Sequence, residues 1–167
     1  MSKKQLMDRL ASLKILSLDV DGVLTDGGLY YTESGEELRK FNVKDGMGMK
    51  RAQAAGVVVV IITTSSTAAI AHRGRMLGLD HVYLECEDKL NQLVQLCDQI
   101  GVDLDQVAHV GDDLVDLPVL KSVGCPMTVA DAVDLVKAAA LYVTEKKGGD
   151  GAVREICEMI YEAKNST

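Results

Sequence analysis

The sequence predicts a doubly wound α/β fold, in which helices cover both faces of a parallel, Rossmann-like β-sheet. Apolar runs rich in Val, Ile and Leu alternate along the chain with segments of helical periodicity, which is the order of strand–helix–strand units. The run at 57–62 is apolar at every position, as expected of a strand buried on both faces. A length of 167 residues suits one domain, so we assign 1–167 to a single domain with its core at about 13–162.

Six segments have the composition of strands. They are 15–19, 57–63, 81–84, 107–110, 126–129 and 141–144. Right-handed crossovers between such strands bring their carboxyl ends to one edge of the sheet, where doubly wound sheets bind ligands. We therefore expect functional side chains directly after these strands.

Helices are predicted between the strands, and two of them are strongly amphipathic. Asp88 can cap the first of these and Gly101 can end it, while the second lies near the C-terminus. Their apolar stripes are Leu90, Leu93, Val94, Cys97 and Ile100 in the first, and Val153, Ile156, Cys157, Ile160 and Tyr161 in the second. One-sided stripes of this kind predict helices that pack against the sheet.

One segment after the first strand breaks the alternation. Residues 28–32 and 36–42 have strand composition and flank a turn at 33–35, so we expect a small β-hairpin insertion over about 28–42. The chain has only two prolines, Pro118 and Pro126, and no low-complexity tract. Nothing therefore indicates a linker or a second, capping domain.

Composition limits the partners and the compartment. The 25 Asp and Glu residues outnumber the 18 Lys and Arg residues, for a net charge of −7, which disfavours nucleic acid and anionic membranes because both require a basic surface. The longest apolar run, 54–62, is far shorter than a membrane span, and the N-terminus lacks a signal-peptide pattern. The four cysteines form no C-x-x-C pair, so we expect reduced thiols in a cytoplasmic protein.

Carboxylates follow two of the predicted strands. Asp19 and Asp21 lie at the end of the first, and Asp112 and Asp113 follow the strand at 107–110. If these strands are neighbours, Asp19, Asp21 and Asp112 converge into an oxygen site of the kind that binds Mg²⁺. A single Asp-x-Asp pair could equally be a turn or a helix cap, but two acidic clusters at strand ends favour the metal site.

Hydroxyl and basic groups also follow predicted strands. Residues 63–66 (TTSS) end the second strand at the expected start of a helix, an arrangement that binds phosphate but also occurs as an ordinary helix cap. Lys89 begins the helix after the third strand. It could neutralise phosphate or hold the carboxylates, or it could be a solvated surface charge.

Four ordered motifs resemble those of the haloacid dehalogenase superfamily. They are 19–25 (DVDGVLT), 61–63 (IIT), Lys89 and 111–116 (GDDLVD). Three further segments resemble its capless 3-deoxy-D-manno-octulosonate 8-phosphate phosphatase family, namely 35–37 (GEE) with 40–46 (KFNVKDG), 109–114 (HVGDDL) and 148–155 (GGDGAVRE). The resemblance covers about residues 13–162 and implies the superfamily's α/β fold without a cap domain.

This resemblance implies a Mg²⁺-dependent phosphatase with Asp19 as the nucleophile that forms an aspartyl-phosphate. Asp21 would act first as general acid and then as general base, and Thr63 and Lys89 would neutralise the phosphate. A carboxylate is already ionised at neutral pH, so it needs no base to activate it. The implied metal ligands are Asp19, Asp112 and the backbone carbonyl of Asp21, with Asp113 and Asp116 behind them to orient Lys89 or a metal-bound water.

The implied substrate is the sugar-acid phosphate 3-deoxy-D-manno-octulosonate 8-phosphate of lipopolysaccharide biosynthesis. The implied substrate contacts are Asn42, Val43, Lys44, Asp45, Gly46, Lys50, Ser65, Arg73 and Lys89. Lys44, Lys50 and Arg73 are candidate partners for its carboxylate, with ordinary surface charges as the alternative. Thr64 and Ser65 stand where the family has Gly followed by Arg or Glu, and Lys50 stands where Arg is common. A nine-carbon nonulosonate 9-phosphate therefore stays open as an alternative substrate.

The resemblance also implies an assembly. Capless family members close their site as homotetramers in which hairpins meet neighbouring subunits, and the apolar hairpin residues Leu29, Tyr30 and Leu38 fit such an interface. A non-catalytic oligomerisation module is an alternative, although the nucleophile and its partners are all present. A signalling receiver domain also combines acidic residues, Thr and Lys around Mg²⁺, but its Lys comes near the end, whereas here Lys89 precedes Asp112.

Overall fold

A computed structural model describes residues 3–166 of the chain. The strands are β1 (Ile15–Leu18), β2 (Tyr30–Tyr31), β3 (Glu37–Leu38), β4 (Val58–Ile62), β5 (His81–Tyr83), β6 (Val107–Val110), β7 (Cys125–Thr128) and β8 (Tyr142–Val143). The helices are α1 (Lys3–Ser12), α2 (Val43–Ala54), α3 (Ala68–Leu77), α4 (Lys89–Ile100), α5 (Leu117–Leu120), α6 (Asp134–Ala139) and α7 (Ala152–Asn165). Short 3₁₀ turns occupy Leu104–Gln106 and Leu114–Asp116.

Six strands form one parallel sheet in the order β5-β4-β1-β6-β7-β8. Strand β1 lies at its centre, where Leu18 is in register with Ile61 of β4 and with Val110 of β6. The predicted doubly wound α/β class is confirmed. Because β1 is parallel to both β4 and β6, the carboxyl ends of these three strands lie at the same edge of the sheet.

The core consists of two apolar layers, one on each face of the sheet. Ile15 packs in the layer that contains Leu93 of α4, whereas Leu16 packs in the layer that contains Met49 of α2 and Ile156 of α7. Alternate residues of β1 thus point to opposite faces and both sets are buried. This double burial explains why the central strands are apolar at successive positions.

Several elements differ from the prediction, and of the six predicted sheet strands only 107–110 has the predicted bounds. Helix α1 was not predicted, although Leu6 and Leu10 form its buried side. Strand β1 ends at Leu18, one residue before the predicted end. The hairpin strands contain two residues each, fewer than expected, because the chain turns towards the sheet edge after Leu38 and buries the next side chain, Arg39.

Two further expectations concern helix ends and thiols. Asp88 caps α4 by accepting a hydrogen bond from the Asn91 N–H (3.0 Å), and Gly101 ends that helix with a φ of 70°, both as predicted. All four cysteines are free thiols. Within residues 3–166, no helix combines the length and the apolar character that crossing a bilayer requires.

Candidate active site

The acidic cluster lies at the carboxyl edge of the sheet. Strands β1 and β6 are neighbours, as the sequence analysis required, and the Asp19 N–H donates to the Val110 carbonyl (3.0 Å). Carboxylate oxygens of Asp19, Asp112 and Asp116 lie within 4.8 Å of one another. The cluster thus contains Asp116, which was expected to lie behind the metal ligands. The carboxylate of Asp21 lies outside the cluster and pairs with Arg39.

Lys89 is buried between two carboxylates at the first residue of α4. Its Nζ lies 2.9 Å from Asp19 Oδ2 and 2.7 Å from Asp116 Oδ1, and its side chain is 2% exposed. The capped start of α4 fixes where this side chain enters the site. The solvated-charge alternative for Lys89 is therefore wrong.

Asp116 receives hydrogen bonds from several sides. Besides Lys89, the Nε2 of His109 lies 3.2 Å from its Oδ1, and the Asp112 N–H donates to its Oδ2 (3.2 Å). The other ring nitrogen of His109, Nδ1, lies 3.1 Å from Ser17 Oγ, and both side chains are fully buried. Ser17 and His109 are paired in register across β1 and β6, so the network is built into the sheet.

Replacing His109 with Phe should lower the free energy of unfolding by about 2 kcal/mol, because buried Asp116 and Ser17 each lose a hydrogen-bond partner. Urea denaturation of both proteins measures this difference. His81→Phe is the matched control, since His81 is half-buried and has one long contact, 3.4 Å, with the Tyr83 hydroxyl. Equal losses in the two variants would contradict a specific role for the buried network.

The electrostatics of the cluster favour a cation. Burial, followed by the charge of Asp116, raises the pKa of Asp19 to about 6, and burial together with the charge of Asp19 raises the pKa of Asp112 to about 7. Burial alone would also raise the pKa of Asp116, but the hydrogen bond from His109 and the Lys89 ammonium outweigh it and hold that pKa at about 2.

Two of these carboxylates, Asp19 and Asp112, fit a divalent cation of the Mg²⁺ type, which prefers oxygen ligands. Asp116 already accepts from Lys89 and His109, so its charge is largely compensated. Asp19 and Asp112 carry the negative charge that burial and repulsion make unfavourable. A cation held between them would remove that cost.

Glycine is required where the loop after β1 meets Asp112. Gly22 has a φ of +81°, and a Cβ added there would overlap the Asp112 carboxylate. A Cβ on Gly148 would in turn overlap the Gly22 carbonyl oxygen, and the neighbouring Gly149 N–H donates to the Val23 carbonyl (2.9 Å). The loop before α7 therefore packs backbone to backbone on the acidic loop.

The hydroxyl-rich segment after β4 is a loop, because α3 begins only at Ala68. Thr63 is buried, and its Oγ1 accepts a hydrogen bond from the Ser65 N–H (3.2 Å). The segment is anchored to the loop after β5, since the N–H of Glu85 donates to the Ser65 carbonyl (3.1 Å) and that of Cys86 to the Thr63 carbonyl (2.9 Å). Thr63 is thus the first residue after β4, just as Asp19 is the first residue after β1.

Glu85 has a φ of 53°, and no other described residue except glycine has a positive φ. Because a side chain is strained in the left-handed region, Glu85→Gly should raise the free energy of unfolding by about 0.5–1 kcal/mol. Thermal or urea denaturation measures this change. Glu87→Gly, in the same exposed loop but without a positive φ, should be destabilising instead. Equal effects of the two changes would contradict the strain.

Arg39 is a site residue that the sequence analysis missed. Its side chain is only 4% exposed, and its Nε and Nη2 lie 2.7 Å and 3.1 Å from the two oxygens of Asp21. Nη2 also donates to Ser65 Oγ (3.3 Å), and Nη1 contacts Glu37. The sequence signal was weak, because Arg39 stands beside the motif at 40–46 in a segment that reads as an ordinary hairpin strand.

The segment at 42–46 joins α2 to α7. Asn42 caps α2 by accepting from the Lys44 N–H (2.8 Å), and its side-chain amide donates to the Gly149 carbonyl (3.2 Å). Asp45 is buried and accepts from the N–H groups of Gly151 (3.3 Å) and Arg154 (2.8 Å). The carboxylate of Asp45, which was a predicted substrate contact, is thus directed to the start of α7.

The remaining predicted substrate contacts divide by exposure. Val43, Lys44 and Lys50 are exposed. Lys50 and Arg73 share a groove of about 210 Å³ with Val43 and Gly46, which none of the clustered carboxylates lines. Asp113, expected near the metal, is exposed and caps the turn at 114–116 through a hydrogen bond from the Leu114 N–H (2.6 Å).

Comparison with known proteins agrees with this site. Residues 85–156 match the family model of haloacid dehalogenase-like hydrolases. The 3-deoxy-D-manno-octulosonate 8-phosphate phosphatase KdsC of Yersinia pestis is 41% identical over 159 residues, which cover 95% of this chain and 85% of that protein. The relationship thus extends over nearly the whole chain.

Solved structures give the same result. The 3-deoxy-D-manno-octulosonate 8-phosphate phosphatase of Moraxella catarrhalis, in complex with magnesium, phosphate and KDO, superposes with a TM-score of 0.95 at 36% identity and covers 99% of this chain and 95% of its own. The cobalt-bound phosphatase YrbI of Haemophilus influenzae gives 0.89 at 38% identity, over 93% and 91% of the chains. The chain belongs to the 3-deoxy-D-manno-octulosonate 8-phosphate phosphatase (KdsC) family of haloacid dehalogenase-like hydrolases.

Proposed function

We propose that this chain is a Mg²⁺-dependent phosphatase that hydrolyses the phosphomonoester of 3-deoxy-D-manno-octulosonate 8-phosphate. The observation that carries the proposal is the buried Asp19 carboxylate, which Lys89 holds at 2.9 Å beside Asp112 at the carboxyl edge of the sheet. The names and bound ligands of the relatives support the substrate.

Asp19 is the nucleophile in this proposal. One of its oxygens forms a bond to phosphorus while the bond from phosphorus to the sugar oxygen breaks, and Asp21 gives the leaving oxygen its proton. Water then attacks the aspartyl-phosphate with Asp21 as the base, and this step releases inorganic phosphate and restores Asp19. Lys89 and Thr63 neutralise and position the phosphate oxygens.

Mg²⁺ would be held by Asp19, Asp112 and the backbone carbonyl of Asp21, and it would supply positive charge to the phosphate oxygens when bound. Asp116 would keep Lys89 directed at Asp19, in line with its 2.7 Å contact to Nζ. Gly22 would keep the Asp112 carboxylate close to the acidic loop.

A substrate panel tests the proposal. Phosphate release is measured with the eight-carbon sugar-acid phosphate, a nine-carbon nonulosonate 9-phosphate and a neutral sugar phosphate, each with Mg²⁺ or with EDTA. We expect the eight-carbon substrate to react fastest and EDTA to stop the reaction. A preference for the nine-carbon acid would overturn the substrate assignment, and no release from any substrate would favour a non-catalytic module.

We also propose that the chain acts in the cytoplasm as a single-domain homotetramer. The free thiols support the compartment, which cell fractionation tests. The hairpin supports the assembly, because Leu29, Tyr30 and Leu38 are 57%, 45% and 54% exposed and exposed apolar clusters commonly mark interfaces.

Light scattering on a sizing column should give four times the chain mass of 18.0 kDa. Leu38→Lys should reduce that mass, because it places a charge in the apolar hairpin surface. Met76→Lys, an equally exposed apolar site on α3, is the control and should not change it. A monomeric wild-type protein would contradict the tetramer.

A further inference from the structure

The hairpin carries two adjacent cations in different surroundings. Lys40 is 60% exposed at its side chain and pairs with Asp26 (2.6 Å), whereas the side chain of Arg39 is 4% exposed. Arg39 extends from the end of β3 to the sheet edge and lies between Asp21, after β1, and Ser65, after β4. A guanidinium is thus buried where the acidic loop and the hydroxyl-rich loop approach each other.

The contacts of this guanidinium are incomplete. Its Nε lies 2.7 Å from Asp21 Oδ1, but the N–H does not point at that oxygen, and Nε makes no hydrogen bond within the described residues. Nη1 contacts the Glu37 carboxylate, and the bond from Nη2 to Ser65 Oγ is long, 3.3 Å, and neutral. A buried Arg is stable only when its charge and its donors are well matched, so a donor without a partner at this position points to a ligand.

Arg39 also occupies both oxygens of Asp21. Both carboxylate oxygens of Asp21 lie against the guanidinium, although the Asp21 side chain is 37% exposed, so a leaving oxygen of the substrate that approaches Asp21 competes with Arg39 for these oxygens. The substrate class proposed above brings oxygen anions into this space, and the planar fork of Arg matches a phosphate or a carboxylate with two parallel hydrogen bonds.

We propose, on the basis of the proposed function, that Arg39 is a substrate-binding residue whose guanidinium leaves Asp21 and binds an anionic oxygen of the substrate. The exchange keeps the guanidinium paired throughout and frees both Asp21 oxygens when substrate is bound. The anion is an oxygen of the phosphate or of the sugar-acid carboxylate, since both present the same geometry to Arg.

Calorimetric titration in the presence of Mg²⁺ tests this role with two probes, inorganic phosphate and free 3-deoxy-D-manno-octulosonate. Arg39→Gln should weaken the binding of at least one probe by about tenfold or more, because a charged hydrogen bond is lost. Weaker phosphate binding assigns the guanidinium to the phosphate, and weaker binding of the sugar acid alone assigns it to the carboxylate. Arg39→Lys should restore part of the affinity.

Lys40→Gln is the matched control, because it removes the neighbouring charge from the same hairpin without entering the site. It should leave both affinities unchanged. Wild-type affinity of Arg39→Gln for both probes, or an equal loss in Lys40→Gln, would overturn the proposal. Failure of the proposed function is distinguishable, because it would appear as absent turnover by the wild type, whereas this role is read from binding alone.

Discussion

Asp19→Asn should reduce phosphate release by about 10⁴-fold or more, because an amide cannot replace the carboxylate that attacks phosphorus. The change keeps the shape of the side chain. The Asn amide oxygen can still accept the hydrogen bond that the Val20 N–H donates to Asp19 at 2.7 Å. It also removes a buried charge whose pKa is raised to about 6. The variant should therefore fold normally, and its thermal midpoint without metal should not fall below that of the wild type.

Single-turnover phosphate release with Mg²⁺ measures the effect, and Asp98→Asn is the matched control. Asp98 lies on α4, the same helix as Lys89, but it is exposed, so its loss should leave the rate unchanged. Asp19→Asn activity within about 100-fold of the wild type would mean that another group is the nucleophile.

Lys89→Met should abolish activity and also destabilise the protein. It leaves the carboxylates of Asp19 and Asp116 buried without their shared cation, and breaking a buried pair in this way costs about 3–5 kcal/mol. Urea denaturation in EDTA measures the loss. Lys121→Met, which removes an exposed lysine, should have little effect on either quantity.

The double variant Lys89→Met with Asp116→Asn separates the two consequences. Because it removes one of the stranded charges, it should recover much of the stability that Lys89→Met loses. It should stay inactive, since no ammonium faces the phosphate. Recovery of activity in the double variant would show that Lys89 serves only to neutralise Asp116.

The sheet was predictable because burial on both faces leaves a signal in composition. Strand β4 is entirely apolar, and β6 is apolar except for His109. Asp19 and Asp112 follow strands that any parallel sheet with these strands as neighbours brings to one edge. The hairpin was predicted too long because its pairing stops where Arg39 turns inwards. That turn depends on a partner, Asp21, from a different part of the chain.

Side-chain hydrogen bonds between different secondary-structure elements were the least predictable part of the site. The pair of Ser17 and His109 follows from strand register, which the sequence alone does not show. Asp45 lies within a family motif and was assigned to substrate, yet its hydrogen bonds go to the start of α7. Such contacts arise from the packing of α2 against α7 and leave no local pattern.

The backbone contact between Gly148 and Gly22 also bears on how the protein is synthesised. The ribosome adds Asp19 and Gly22 well before Gly148, whose backbone packs against their loop. A nascent chain therefore contains Asp19, Lys89 and Asp112 before it contains the backbone that completes their surroundings. On the proposed function, such a chain becomes active only after the loop before α7 has been made.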